Sequence, residues 1–316
     1  VYSRKLSRKE FIKNALKIAT FLYADSIFLN KLKINKLFAE EKTPDLVVVK
    51  NSNPEDLVNE AIKALGGIEK FIKRGDTVLV KPNIGWNKAP EYAATTNPQV
   101  VSTVIKLCYK AGAKKVKVWD RTCDNAKMSY KNSGIEKATI DAGGEILFVE
   151  ERDKTKWSEV KLDGIDLKSW PIYDELLKVD SIINIPIAKN HGSATLTLGM
   201  KNWMGVIGGN RGAFHLNLHQ RIADISAFIK PKLVIIDAVR ILTRHGPKGG
   251  NLEDVKKIDT VIAGVDQVAV DSYASTLFGL KGEDIGYIKI ANDMKIGEID
   301  LNKLNIKKID LAKNDN

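Results

Sequence analysis

Short apolar, β-branched runs alternate along the chain with amphipathic stretches that end at glycine. Leu46-Val47-Val48-Val49-Lys50 reads as a first strand; Pro54 then opens a helix carrying Leu57, Ala61, Ile62 and Leu65, which stops at Gly66-Gly67. The order repeats with a strand over 77–80, a helix over 100–111 ended by Gly112, a strand over 116–119, a helix over 134–142 and a strand over 146–149. Further buried strands are read at 181–186, 233–237 and 261–264, with a helix over 267–278 stopped by Gly279. Residues 160–172 read as a hairpin or insertion turning at Asp163-Gly164. Such an order predicts an α/β fold, a mostly parallel, Rossmann-like sheet layered with helices on both faces. Residues 43–316 are expected to form one α/β domain, either undivided or as two lobes (43–180 and 181–316) with a cleft between them. Ligands of such sheets bind beyond the carboxyl ends of the strands, which directs attention to polar residues just after apolar runs.

Composition changes this picture at the amino end. The chain has 316 residues and a formal net charge of +11, and residues 1–42 hold ten Lys/Arg against four Asp/Glu, more than half of that excess. Elsewhere lysine is dispersed and arginine sparse, without interleaved aromatics, which argues against a nucleic-acid partner. Ser7-Arg8-Lys9-Glu10-Phe11-Ile12-Lys13 precedes an apolar run over 15–24. The segment resembles a twin-arginine export signal, with Lys9 at the second arginine. Asp25 and Lys17 make the run too short and polar to span a bilayer. Residues 1–42 are therefore expected to be an export signal or anchoring helix, or an amphipathic helix on the body or a membrane surface. The expected location is exported, or membrane-associated on the extracytoplasmic side, and cytoplasmic if the signal-like segment does not function. Two cysteines, Cys108 on an apolar helix face and Cys123 after a strand, exclude an iron–sulfur cluster or four-cysteine zinc site by number.

The polar candidates follow the strands. Lys81-Pro82-Asn83 leaves the second, with Pro82 holding Lys81 extended. Asp120-Arg121 ends the third. Ile187-Ala188-Lys189-Asn190-His191-Gly192 places lysine, asparagine and histidine in succession after a buried strand, and His191 suits proton transfer near neutral pH. The run 201–212 is neither a GxGxxG fingerprint nor a Walker loop; it reads as a short helix and then a glycine-rich turn presenting Arg211. His215 and His219, four apart, share a helix face and could ligate a metal with a carboxylate from elsewhere. Asp237 and Arg240 end a strand, and Lys248 lies in the glycine-rich loop 246–250. Asp266 reads as a helix cap, whereas Asp271, in an otherwise apolar helix, needs a partner.

Together Lys81-Pro82-Asn83, residues 185–192, Lys201-Asn202-Trp203-Met204-Gly205, Arg211, His215, Ile222-Ala223-Asp224, Asp237, Gly246-Pro247 with Gly249-Gly250, and residues 266–271 resemble the family called domain of unknown function 362. The likeness covers roughly residues 46–280. Lys189-Asn190-His191 stands where the family usually has Lys-Thr-His, and Gln267 replaces a proline. Family members often carry export signals or ferredoxin modules, and the architecture is distantly similar to nickel-dependent lactate racemases, whose pincer chemistry does not transfer residue by residue. The expected function is an enzyme acting on a small anionic compound, carboxylate or phosphate, by acid–base or metal-assisted chemistry. Its catalytic groups are expected to be His191, Lys189, His215 and Asp271. Lys81, Asn83, Asn190, Arg211, Arg240 and Lys248 are expected to bind substrate, and His215, His219 and Asp237 to hold a divalent metal. The alternative is an extracytoplasmic protein that binds a metal, cofactor or organic anion without turnover.

Overall fold

The computed structural model describes residues 43–149 and 151–313. The signal-like or anchoring segment 1–42, with its expected membrane contact, lies outside the described residues. The strands are β1 (Leu46–Lys50), β2 (Thr77–Pro82), β3 (Lys115–Val118), β4 (Glu145–Ile146), β5 (Trp157–Lys161), β6 (Ser169–Tyr173), β7 (Ser181–Ile185), β8 (Ile187–His191), β9 (Thr195–Thr197), β10 (Leu233–Leu242), β11 (Val255–Gly264) and β12 (Ile306–Asp310). The main sheet runs β12-β1-β11-β10-β7-β2-β3-β4, while β8 pairs with β10 and β9. Neighbours from β10 through β7, β2 and β3 to β4 are parallel, as is β1 with β12. The α/β, mostly parallel architecture is thus present.

Alternate residues of each central strand enter different cores, so the runs are apolar throughout. Val47, Val49, Val78, Val80, Leu233 and Ile235 pack on one face, against the helices Pro54–Ala64 and Pro98–Lys110. Leu46, Val48, Leu79, Val234 and Ile236 pack on the other, against Leu218–Phe228, Gln267–Ser275 and Gly286–Asp293. Burial of both faces is what a covered parallel sheet requires. Asn53 and Asn97 cap the helices Pro54–Ala64 and Pro98–Lys110, each with proline at the first helical position.

Three elements depart from the expectation. β11 is ten residues long and antiparallel to both β1 and β10. The connection from β10 carries only a short 3-10 turn, so the chain can only return antiparallel. The strand expected at 146–149 shrinks to Glu145–Ile146. β12 gave no clear apolar signal because Lys307 and Lys308 occupy an edge strand.

Candidate functional site

A cavity of about 310 Å³ opens at the carboxyl ends of β2, β3 and β8. Asn83 and Trp86 reach it from after β2, Asp120 and Cys123 from after β3, and Lys189 and His191 from β8. Thr197 of β9 lies directly across the ladder from Lys189. The 3-10 helix Met200–Gly205 adds Lys201 and Asn202, and the next turn adds Arg211 and His215.

The charges are unequal. Asp120 lies in the cavity wall, and one of its oxygens takes the Lys81 ammonium at 2.8 Å while the other accepts from Ile84 N at 2.5 Å. Lys189, Lys201 and Arg211 have no carboxylate partner among the described residues. The Lys189 ammonium donates to Asn83 Oδ1 at 3.1 Å and Ala94 O at 2.6 Å. Among the described residues Lys201 donates only to Met204 Sδ, at 2.8 Å. Arg211 donates to the carbonyls of Thr122 (2.8 Å) and Arg121 (2.6 Å) and to Cys123 Sγ (3.2 Å). Burial lowers Lys189 to about 7 and Lys201 to about 8; Cys123 opposes both shifts, and neighbouring cations add to them.

The two cavity histidines carry complementary edges. His191 Nδ1 accepts the backbone N–H groups of Ser193 and Ala194, both at 3.2 Å, so the proton of the neutral ring sits on Nε2. Burial, with Lys201, Lys189 and His215 adding, lowers His191 to about 3, so the ring is neutral at physiological pH. His215 Nδ1 lies 2.6 Å from Arg211 O, a group that only accepts. Its Nδ1 therefore holds a proton, and in the neutral ring Nε2 carries the lone pair.

The sequence model of the family described as Domain of unknown function (DUF362) matches residues 78–276, which includes every residue of this cavity. The chain belongs to the DUF362 family. This DUF362 chain is 27% identical over 218 residues to a thylakoid-associated protein of Synechocystis sp., covering 66% of this chain and 65% of that one. It therefore spans slightly less than two thirds of that relative's length. Among solved structures, it is similar to a Thermotoga maritima structural-genomics protein (TM-score 0.46, 13% identity, 71% of this chain and 59% of that one). It is also similar to the lactate racemase apoprotein of Thermoanaerobacterium thermosaccharolyticum (TM-score 0.42, 12% identity, 68% and 53%).

The DUF362 fold gathers only part of the expected residue set. Asn83, Lys189, His191, Arg211 and His215 converge on the cavity. Lys81 does not line it: fully buried, its ammonium is consumed by Asp120 and Pro82 O. Asn190 instead accepts from Gly246 N at 3.2 Å, securing the loop after β10. Arg240 sits on β10 opposite Lys257, outside the cavity wall. Lys248 is half-exposed at the rim, 5.5 Å above the ring of Trp86.

Asp271, expected among the catalytic groups, does not line the cavity. Buried beneath the wall, it accepts Gly199 N (2.7 Å) and Met200 N (2.9 Å), holding the start of the helix that presents Lys201 and Asn202. Asp237 likewise accepts Asn97 N (2.6 Å) and Val239 N (3.0 Å). Burial raises Asp271 to about 7 and Asp237 to about 6, with these hydrogen bonds opposing.

The expected metal set is not assembled. His215 lies in a 3-10 turn, and Asn217 (φ −134°) breaks the chain direction before the helix carrying His219 begins. His215 consequently lines the cavity, whereas His219 stacks on Tyr287 with ring centroids 6.2 Å apart. Among the described residues no three His, Cys, Asp or Glu side chains are grouped to hold a metal ion. The glycine-rich turn is also tied down, by Arg121 to Ile207 O (2.9 Å) and Trp170 to Gly208 O (3.1 Å).

Sequence reasoning missed Lys201 and Thr197 as wall residues. A lysine followed by asparagine within the apolar surroundings of Trp203 and Met204 was the available signal for the first; Thr197 offered none. Gly205 is required by close packing, because a Cβ there would lie 1.7 Å from Asp120 Oδ1 and 2.7 Å from Lys81 Nζ. Gly205→Ala is expected to cost about 1–3 kcal/mol in urea unfolding by displacing this pair; an unchanged midpoint would show that the helix backbone yields instead.

Proposed function

We propose that the cavity binds a small organic anion, a carboxylate or phosphate, and exchanges a proton with it. The observation that carries this reading is the excess of fixed, carboxylate-free cations, Lys189, Lys201 and Arg211, converging on one cavity. Lys201 and Arg211 would hold the anionic group. Lys189, lowered to about 7 by burial, can release and regain a proton near neutrality. His191 would present its Nε2 proton to a developing negative oxygen, and His215 would offer its Nε2 lone pair as an acceptor. Asn83 orients Lys189, and Asn202 donates to Asn184 Oδ1 at 2.8 Å, linking the helix to β7. The association of the Synechocystis relative with thylakoids supports a membrane-associated setting; no helix among the described residues is long and apolar enough to cross a membrane.

A thermal-shift panel of inorganic phosphate, small carboxylates and phosphate esters tests the binding. A ligand at 100 times its Kd stabilises the protein by about 2.7 kcal/mol, a shift of several degrees. The effect should disappear in Arg211→Gln. NMR of the stabilising organic anion in D2O then reads exchange of carbon-bound hydrogen, which should be absent with Lys189→Met. Stabilisation without exchange would reduce the protein to a binder. Indifference to every anion would sink both readings.

A further inference from the structure

The cavity holds a nucleophile that its proton chemistry does not use. Cys123 is exposed and lines the cavity, and its Sγ accepts from Arg211 Nη1 at 3.2 Å. Lys189 and Lys201 line the same cavity as the sulfur. Cys123 also lines a second, adjoining recess bounded by Asp124, Glu151 and Asp153, which gives it a further approach from solvent. Cys108, by contrast, is buried in the helix core and pushed up to about 12 by that burial.

A second observation points to a ligand in contact with these groups. Lys201 is 7% exposed and lines the same cavity, yet among the described residues its ammonium donates only to the Met204 thioether. A buried ammonium without an oxygen acceptor is costly, so its placement is explained by a bound anionic group. Ammonium, guanidinium and thiol thus line one volume of the size of a few carbon atoms plus an anionic head.

We propose that Cys123 is a covalent attachment site for small electrophiles that carry a carboxylate, and that the cations of the cavity select and seat them. The proposal rests on the anion-binding reading of the same cavity. Lys201 and Arg211 hold the carboxylate while the sulfur, as thiolate, gives its electron pair to the electrophilic carbon. With a haloacetate the S–C bond forms as the carbon–halogen bond breaks, halide departs with the bonding pair, and the thiol proton passes to solvent. With a carbonyl acid the S–C bond forms as the C=O π pair moves to oxygen, which takes up a proton. The second addition is reversible and needs no oxidant or reductant. Specificity comes from position and charge: fixed cations concentrate an anionic reagent beside the sulfur.

The test compares iodoacetate with iodoacetamide, which carry the same leaving group and differ in charge, on the whole native chain. Peptide mass spectrometry reads the rate at Cys123, and the urea-unfolded chain supplies the intrinsic ratio of the two reagents. Relative to that ratio, native Cys123 should favour iodoacetate by roughly tenfold or more, and Cys108 should stay unlabelled until the chain unfolds. Arg211→Gln and Lys201→Met should each reduce the preference, and an anion that stabilises the protein in the thermal-shift panel should slow labelling. The wild-type ratio needs no variant, so misfolding of a substituted chain does not spoil the test. An unchanged ratio, or no labelling by either reagent, overturns the proposal while leaving anion binding intact if the panel still shows stabilisation. An unchanged ratio with no stabilising anion overturns both.

Discussion

Lys189→Met is expected to make the protein more stable at pH 6 and less stable at pH 10, with loss of proton exchange at both. Lys189 is 1% exposed and has no carboxylate partner among the described residues, so its charge is held against the cost of burial. Burial moves it from 10.5 to about 7. The unfolded chain therefore keeps this proton up to about pH 10.5, whereas the folded chain releases it near 7. Between those values the unfolded state binds more protons, and stability rises with pH. Below pH 7 both states are protonated, and the folded state bears the whole penalty, roughly 5 kcal/mol at about 1.4 kcal/mol per pH unit. Methionine removes it but leaves Asn83 Oδ1 and Ala94 O without their donor, a loss of about 1–2 kcal/mol each. The net gain at pH 6 should be about 1–3 kcal/mol, turning into a loss of similar size at pH 10. Urea unfolding at the two pH values measures both. A variant less stable by the same amount at each pH would show that Lys189 is a structural donor and remove the physical basis for its role in proton exchange.

The opposite result is expected at Lys81, on β2. Lys81→Met leaves the buried Asp120 carboxylate with Ile84 N as its one remaining partner among the described residues, and breaking a buried pair from one side costs about 3–5 kcal/mol. For a chain of this size that is a fall of roughly 10 °C in Tm. Replacing both partners, Lys81→Met with Asp120→Leu, should recover much of the loss, because no isolated charge remains. A single variant within 1 kcal/mol of the parent would mean that Asp120 is satisfied in some other way. The contrast separates two buried lysines: Lys81 is paired and fixes the wall, whereas Lys189 is held at a cost in stability, as the proposed function would require.

The candidate site was legible where a polar residue follows an apolar strand. Lys189 and His191 end β8, Asn83 follows β2, and each faces the cavity as the position of strand ends in a parallel sheet requires. Asp266 was legible as a helix cap because capping is local: its carboxylate accepts Val268 N at 2.8 Å and Ala269 N at 3.1 Å. The same reasoning failed for Lys81, Arg240, Asp271 and His219. For each, the position along its element was visible, but the groups standing opposite it were not. Asp271 and Gly199 are 72 residues apart, and Lys81 and Asp120 are 39 apart. The His215/His219 expectation failed for a local reason as well, since helical spacing holds only while the helix is continuous, and it breaks at Asn217.

The sequence by itself determined the covered, mostly parallel sheet, because runs apolar on both faces can be satisfied only by helices on both sides. It also determined the end of that sheet at which the cavity opens. Tertiary structure alone decided which cations are neutralised and which remain available, since a charge is defined by its partner and partners are brought together from distant parts of the chain. By the same means it removed the metal set, made Cys123, Thr197 and Lys201 neighbours of Lys189, and gave His191 and His215 opposite hydrogen-bonding edges. Those edges are set by the backbone groups at each Nδ1, which no spacing of residue types encodes.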